Sequence, residues 1–249
     1  MSNVSGSGIG QGQLVTPARR SYTEALTVFE PARLALNGWR LVARRTRHPQ
    51  TVMVLPGFGG NDPSTAPLRA YLRGLGHDVH GWSLGTNRGD MQRALTVLEQ
   101  RVGDLAARPP KAKVALVGWS LGGVLSRELA RRLPDLVSQV ITLGSPVVGG
   151  PKYTSLAHAY RRLGVDLDQV EREAARRAEV PAHIPITVIY SRSDGVVAWQ
   201  ACIDHVNAHA EHVEVRTTHL GLGIHHEVWR IVADRLADPR PAAAGAQTP

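Results

Sequence analysis

The chain has 249 residues, 43% of them hydrophobic, so it is long enough to bury one large core. Its single cysteine, Cys202, excludes an internal disulfide and a cysteine-based metal cage, and agrees with a reducing compartment. The formal net charge is +8, but arginines fall in pairs that lie mostly on predicted helices, and no basic run is interleaved with aromatic residues. We therefore expect no nucleic-acid partner.

Small and polar residues dominate both ends of the chain. We expect flexible tails over residues 1–22 and 239–249, with a single folded domain over 23–238. The first residues lack the basic start and apolar stretch of a secretory signal, and no segment offers the roughly 18 uninterrupted apolar residues of a membrane span. These features predict a soluble cytoplasmic protein.

Short β-rich runs alternate with helix-length segments, a pattern typical of a parallel sheet covered on both faces. The predicted strands, in chain order, are 51–55, 77–80, 113–117, 137–143, 186–190 and 212–217. The predicted helices are 23–47, broken at a proline and a glycine, then 64–75, 88–107, 121–133 and 225–236. The fold class is therefore α/β, with a mostly parallel sheet of about six strands.

The pattern changes between the fourth and fifth predicted strands. A turn rich in glycine and proline is followed there by amphipathic segments at 155–163 and 168–178. We expect this stretch, about 145–185, to form a small helical insertion over one end of the sheet.

The pattern Gly-x-Ser-x-Gly, which forms a sharp turn that exposes a nucleophilic serine, occurs twice, as Gly-Trp-Ser-Leu-Gly at 81–85 and again at 118–122. The turn requires a strand before it and a helix after it. The second copy has both, whereas the first copy leads into Thr-Asn-Arg-Gly-Asp, a loop composition. We therefore predict Ser120 as the nucleophile and interpret Ser83 as a turn residue near the rim of the site.

A serine nucleophile needs backbone N–H groups that stabilise the negative charge developing on the carbonyl oxygen of the substrate. The Pro-Gly-Phe-Gly-Gly loop at 56–60 follows the first strand and is rich enough in glycine to turn its amides inward. We predict the amides of Phe58 and Leu121 as this oxyanion hole; the alternative is a plain strand-ending turn.

In proteins with this serine turn, an acid and then a histidine follow the serine along the chain. Asp194 lies in a turn at the end of the fifth strand and His219 in a loop after the sixth, so we predict them as acid and base. The alternative acids are Asp166, Asp168 and Asp204, for which surface exposure or helix capping is the favoured interpretation. The alternative bases are His225 and His226, at the start of the last helix.

Two further groups of residues carry weaker signals. His205 and His209 have the four-residue spacing of helical zinc ligands, with His212 nearby, but Val206 stands where a zinc protease has glutamate, so we expect no metal. We also predict an apolar acyl site, lined by Trp82, Trp119, Trp199 and Leu222. Aromatic residues beside turns are as often anchored in the core, which is the alternative.

The chain resembles bacterial lipases and esterases of the α/β-hydrolase superfamily. The matching blocks are Leu-Pro-Gly-Phe-Gly-Gly at 55–60, Gly-Trp-Ser-Leu-Gly-Gly at 118–123, Thr-Leu-Gly-Ser-Pro at 142–146, Tyr-Ser-Arg-Ser-Asp-Gly at 190–195 and His-Leu-Gly-Leu at 219–222. The resemblance implies the α/β-hydrolase fold, with Ser120, Asp194 and His219 as the triad and the amides of Phe58 and Leu121 as the oxyanion hole. From these residues we predict cleavage of carboxylic esters through an acyl-enzyme intermediate.

We expect no cofactor, and a small-molecule acyl ester as the binding partner, with membrane contact only through a lipid substrate. The same three residues also serve thioesterases, amidases and acyltransferases, which stay open as alternatives. A non-catalytic scaffold is a further alternative, and it predicts a damaged triad.

Overall fold

A computed structural model describes residues 46–178, 182–207 and 209–238, together with Glu24, Thr27, Leu34 and Leu41. The predicted tails over 1–22 and 239–249 lie outside the described residues, as does most of the predicted helix over 23–47. In the described part of the chain, no helix combines the length and the apolar composition that a membrane span requires.

Six parallel strands form one sheet in the spatial order β2-β1-β3-β4-β5-β6. The strands are β1 (Thr51–Leu55), β2 (Asp78–Gly81), β3 (Val114–Trp119), β4 (Val137–Leu143), β5 (Ile186–Tyr190) and β6 (Glu211–Glu214). This confirms the predicted six-stranded parallel sheet. The strand order reverses between β1 and β3, and at such a reversal the loops at the carboxyl ends diverge and leave a crevice.

Helices cover both faces of the sheet. They are α1 (Asp62–Gly74), α2 (Met91–Ala107), α3 (Leu121–Arg132), α4 (Ala157–Arg162), α5 (Leu167–Ala178), α6 (Trp199–Cys202) and α7 (His226–Ala237). Apolar side chains of α1 and α7 pack on one face, and those of α2 and α3 pack on the other. Alternate residues of β1 enter the two layers, so this strand is apolar along most of its length, as expected for a strand buried on both sides.

Two predicted boundaries differ from the observed ones by three residues, and local chemistry explains both. The second long helix begins at Met91 rather than at residue 88, because Gly89 has a φ of +84° and the side chain of Asp90 caps the helix by accepting from the amide of Arg93. The last strand ends at Glu214 rather than at residue 217. Beyond the end of this strand, the Ser191 hydroxyl donates to the Thr217 carbonyl at 2.6 Å, so a side-chain hydrogen bond replaces the backbone pairing of β5 with β6.

The predicted helical insertion is present after β4 as a short 3₁₀ turn (Gly150–Tyr153) followed by α4 and α5. Ala157, Tyr160 and Leu167 form a small apolar cluster, and Phe58 packs against it from the loop after β1. The ring centroids of Phe58 and Tyr160 are 4.6 Å apart. The insertion therefore covers the carboxyl edge of the sheet, where the predicted oxyanion loop lies.

Candidate active site

Ser120 occupies a strained turn between β3 and α3, with φ 53° and ψ −120°. Its amide donates to the carbonyl of Leu143 at 2.8 Å, while its side chain makes no capping hydrogen bond to the helix that follows. A Cβ atom at Gly118 would collide with the backbone of Gly122 and Gly123, so the turn needs glycine there. The serine oxygen is thus left available at a helix N-terminus, and the residue is partly exposed.

Ser83 adopts the same unusual backbone, with φ 57°. Its chain leads into bends rather than a helix, and its polar groups are engaged: its amide donates to Asp62 at 3.0 Å, and Arg101 donates to its hydroxyl at 3.1 Å. A cavity of about 640 Å³ lies beside it, lined in part by Trp82 and Arg93. Ser83 therefore has the turn of a nucleophile without the helix N-terminus, and its polar groups are already hydrogen-bonded.

Asp194 and His219 are joined by a hydrogen bond of 2.7 Å between Oδ2 and Nδ1, and both residues are buried. The other carboxylate oxygen of Asp194 accepts from the amides of Val196 at 2.8 Å and Val197 at 2.7 Å. Because an ionised carboxylate only accepts, this bond places the histidine proton on Nδ1 and leaves Nε2 as the basic nitrogen.

The loop of His219 is held against the serine turn. The indole N–H of Trp119, the neighbour of Ser120, donates to the carbonyl of His219 at 3.2 Å. Gly144, directly after the residue that accepts from the Ser120 amide, has a φ of +54°, and a Cβ atom on it would lie 3.0 Å from Asp194 Oδ2 and 3.2 Å from His219 Nδ1. The structure thus brings the three predicted catalytic residues to one edge of the sheet.

Electrostatics favour protonation of His219. Burial alone lowers the pKa of this imidazole, but the charge and hydrogen bond of Asp194, together with the charge of Glu24, outweigh the burial. The pKa therefore lies above the ordinary value of 6.5. An imidazole with a raised pKa accepts a proton more readily.

The glycine loop after β1 lies directly against the serine turn. A Cβ atom at Gly57 would be 3.0 Å from the Cβ of Ser120 and 3.3 Å from the carbonyl oxygen of Trp119. Across the described residues, the backbone N–H groups of Phe58 and Leu121 donate no hydrogen bond. Within that part of the chain, both amides are therefore available to an oxygen atom.

Asn87, which the sequence analysis did not single out, fastens this glycine loop. Its side-chain amide donates to the carbonyl of Pro56 at 3.0 Å, and its backbone exchanges hydrogen bonds of 2.8 Å with Gly59 and Gly60. Asn87 is buried and lies in the exit loop of the first Gly-Trp-Ser-Leu-Gly copy. That loop therefore holds the glycine loop after β1 in place.

The residues predicted to line an acyl site lie in different environments. Trp119 is partly exposed beside Ser120, whereas Trp82 is almost fully buried and contributes to the cavity near Ser83. Leu222 is completely buried in the core layer that contains α1 and α7. Trp199 stacks on Tyr190, with the guanidinium of Arg192 4.5 Å from its ring centroid.

The alternative acids have other roles. Asp166 caps α5 by accepting from the amides of residues 168 and 169, and the exposed Asp168 pairs with Lys152 at 2.7 Å. Asp204 departs from the expected surface or capping position, because it is buried and pairs with Arg127 at 2.5 Å.

The alternative histidines also have other environments. The rings of His225 and His226 contact each other at the start of α7, tilted by 37° with their centroids 4.6 Å apart. His212 accepts from the amide of Asp204 at 2.9 Å, and His209 lies 3.1 Å from the carbonyl of Ala182. Within the described ranges, no group of three or more His, Cys, Asp or Glu side chains is placed to hold a metal ion.

A second residue missed by the sequence analysis is Glu24. Its carboxylate accepts hydrogen bonds from the loops that carry Asp194 and His219. These contacts join residues 171 to 196 positions apart, so no local pattern signals them.

Comparison with solved structures identifies the architecture. The monoacylglycerol lipase of Paleococcus ferrophilus superposes with a TM-score of 0.57 at 15% identity, over 76% of this chain and 96% of the lipase. Mouse α/β hydrolase domain-containing protein 10 gives 0.55 at 17% identity, over 78% and 90%. The chain has the α/β-hydrolase fold. This confirms the fold predicted from the sequence.

Sequence comparison adds one short match. A pimeloyl-[acyl-carrier protein] methyl ester esterase from Aliivibrio salmonicida is 30% identical over 98 residues, which are 38% of this chain. The match spans only about a third of that relative, 35% of its length. No protein-family model matches the chain.

Proposed function

We propose that this α/β-hydrolase chain is a serine hydrolase that cleaves carboxylic esters through an acyl-enzyme intermediate. The observation that carries the proposal is the buried 2.7 Å hydrogen bond between His219 and Asp194, on loops held beside the strained turn of Ser120. A buried imidazole with a raised pKa, oriented by a carboxylate next to a partly exposed serine turn, suits general-base catalysis.

In the first step, Oγ of Ser120 attacks the ester carbonyl and its proton passes to Nε2 of His219. Asp194 stabilises the imidazolium that forms. The carbonyl oxygen gains the negative charge and accepts hydrogen bonds from the amides of Phe58 and Leu121. The carbon–oxygen bond to the alcohol then breaks, the alcohol takes the proton from His219, and the acyl group stays on Ser120.

In the second step, water replaces the alcohol. His219 takes a proton from the water, the hydroxide attacks the acyl carbonyl, and the same amides bind the oxyanion. Ser120 leaves with the proton from His219, and the carboxylic acid is released. These steps use only side chains and amides of this chain, so the proposed reaction requires no cofactor.

The proposed binding partner is a small-molecule acyl ester. The matched relative is named for cleavage of a methyl ester, which favours simple carboxylic esters as the first substrates to test. The cytoplasmic location, the domain limits and the absence of a nucleic-acid partner stay predictions from the sequence.

The test is hydrolysis of p-nitrophenyl acetate, butyrate and laurate by the wild type, Ser120→Ala and the matched control Ser83→Ala. We expect turnover by the wild type and by Ser83→Ala, and its loss in Ser120→Ala. The order of rates along the three acyl chains then separates an esterase from a lipase. An inactive wild type, with activity on an acyl thioester or an amide instead, would favour those alternatives, and inactivity on all of them would favour a scaffold.

A further inference from the structure

The carboxylate of Glu24 bridges the loop of Asp194 and the loop of His219. Its Oε1 accepts from the amides of Gly195 and His219, both at 3.0 Å, and its Oε2 accepts from the amide of Leu220 at 3.0 Å. Glu24 thus contacts the residue after the proposed acid, the proposed base itself and the residue after the base.

We propose that Glu24 is a positioning residue that locks the loops of Asp194 and His219 together for the reaction proposed above. The inference rests on that proposed function. Glu24 touches no reacting atom and acts through the backbone of the two loops.

These loops need such a support because they lie beyond the sheet. Strand β5 ends at Tyr190 and β6 ends at Glu214, so strand pairing does not reach Gly195, His219 or Leu220. Hydrogen bonds to an ionised acceptor are about twice as strong as neutral ones, and one carboxylate has enough lone pairs for all three amides. A single side chain therefore sets the spacing between the two loops that carry the 2.7 Å bond of Asp194 and His219.

Glu24 is itself anchored. The hydroxyls of Thr27 and Thr218 lie 2.7 Å apart, which fixes the chain near Glu24 to the residue before His219. Leu34 and Leu41 pack against the core layer of α1 and α7. These contacts provide a control, because weakening the apolar anchor disturbs the same segment without removing the carboxylate.

The charge of Glu24 distinguishes a positioning role at the site from a purely structural role in anchoring the chain. Among the described residues, Asp194 and Glu24 are the charged groups that act on His219, and both raise its pKa. Neutralising Glu24 therefore lowers this pKa, which moves the acidic limb of kcat/KM to lower pH. Loss of an apolar anchoring contact alone leaves the pH of the acidic limb of kcat/KM unchanged.

The experiment compares the full-length wild type with Glu24→Gln, Glu24→Asp and Leu34→Ala. In Glu24→Gln, an NH₂ group replaces one acceptor oxygen and opposes an amide that donates. We expect its kcat on p-nitrophenyl butyrate to fall about 10- to 100-fold with KM within about twofold, since small misplacements of catalytic groups have effects of this size. Glu24→Asp keeps the charge and recovers part of kcat, and Leu34→Ala lowers Tm while keeping the wild-type kcat and acidic limb.

A substrate-free measurement accompanies the kinetics: NMR titration of the His219 imidazole, assigned by the signal missing in His219→Gln. The inference predicts a lower titration midpoint in Glu24→Gln and an unchanged midpoint in Leu34→Ala. It is overturned if Glu24→Gln behaves like Leu34→Ala in both kcat and midpoint. If the wild type hydrolyses no ester, the hydrolase proposal fails by itself, and the titration still decides whether Glu24 acts on His219.

Discussion

Nδ1 of His219 lies 2.7 Å from Oδ2 of Asp194, in a buried pair whose second carboxylate oxygen is held by two backbone amides. This arrangement fixes the orientation of the imidazole and places its proton on the nitrogen that faces the acid. Base catalysis by Nε2 depends on both effects.

Replacing Asp194 with asparagine tests this dependence. The amide retains the shape but can donate to Nδ1, which favours the wrong tautomer of His219, so we expect kcat to fall by about 10³- to 10⁴-fold. The measurement is hydrolysis of p-nitrophenyl butyrate at saturating substrate. The control is Asp168→Asn, which changes an exposed carboxylate paired with Lys152 and should leave kcat within about twofold. Equal activity of both variants would contradict the assignment of the acid.

The pH profile follows from the raised pKa of His219. Only the neutral imidazole accepts a proton from Ser120, so kcat/KM should fall as the pH decreases through the pKa of His219. Because the charges of Asp194 and Glu24 outweigh burial, that pKa exceeds 6.5, and the midpoint of the acidic limb should too. The measurement is kcat/KM across the acidic and neutral range; a midpoint below 6.5 would show that burial prevails.

Asn87→Ala tests the support of the oxyanion loop. The change removes the buried hydrogen bond to the carbonyl of Pro56 and leaves that carbonyl without its donor. We expect the free energy of unfolding to fall by about 1–3 kcal/mol. Loss of one oxyanion donor lowers kcat about 10²- to 10³-fold. In Asn87→Ala the Phe58 amide is only displaced, so we expect a smaller fall in kcat, about 10- to 100-fold.

The matched control for Asn87 is Gln100→Ala, which removes an exposed side-chain hydrogen bond to Asp104 on α2. It should change neither kcat nor stability measurably. The measurements are the free energy of unfolding in urea and the kcat of ester hydrolysis for both variants. A loss of stability in Asn87→Ala with an unchanged kcat would separate Asn87 from the proposed oxyanion hole.

The sequence predicted those parts of the fold and site that depend on local chemistry. The Gly-Trp-Ser-Leu-Gly turn at 118–122, with a strand before it and a helix after it, located the strained conformation of Ser120 without knowledge of the sheet. The order of apolar runs and breakers likewise predicted the six parallel strands and the helical insertion, because periodicity and turn residues are local properties.

The supports of the site arise from contacts between distant parts of the chain. Glu24 and Asn87 act through backbone groups 31 to 196 positions away, and their neighbours in sequence carry no sign of these partners. Asp204 was expected at the surface or as a helix cap, yet it is buried, since Arg127 on α3 supplies a charge that only the folded structure brings near.

This buried ion pair gives a stability prediction. Arg127→Met leaves Asp204 without its counter-charge, and we expect a loss of about 3–5 kcal/mol in the free energy of unfolding. The double variant Arg127→Met, Asp204→Leu should be more stable than the single variant, because no unpaired charge remains buried. Urea unfolding at neutral pH measures both; equal stability of the single variant and the wild type would contradict the prediction.

The same pair has a defined pH dependence. Burial raises the pKa of Asp204, but Arg127 and the hydrogen bonds from Asn207 outweigh it, so the pKa lies below the ordinary 3.8. In the wild type, the stabilisation from the ionised Asp204 is therefore fully present above that value and is lost as the pH falls below it. In Arg127→Met, burial without the counter-charge raises the pKa of Asp204, so the variant binds a proton at a higher pH than the wild type and regains part of its stability there. The stability difference between the wild type and Arg127→Met should therefore shrink as the pH falls, and a difference that stays constant into the acidic range would contradict it.

The most direct test of the central claim is the reaction of the full chain with a fluorophosphonate, followed by intact-mass and peptide analysis. Such a reagent forms a covalent adduct with a serine whose oxygen is activated by a neighbouring base. We predict one adduct on Ser120, absent in Ser120→Ala, strongly slowed in His219→Gln and retained in Ser83→Ala. An adduct on another serine, or none on the folded wild type, would contradict the account of Ser120 as a nucleophile activated by His219.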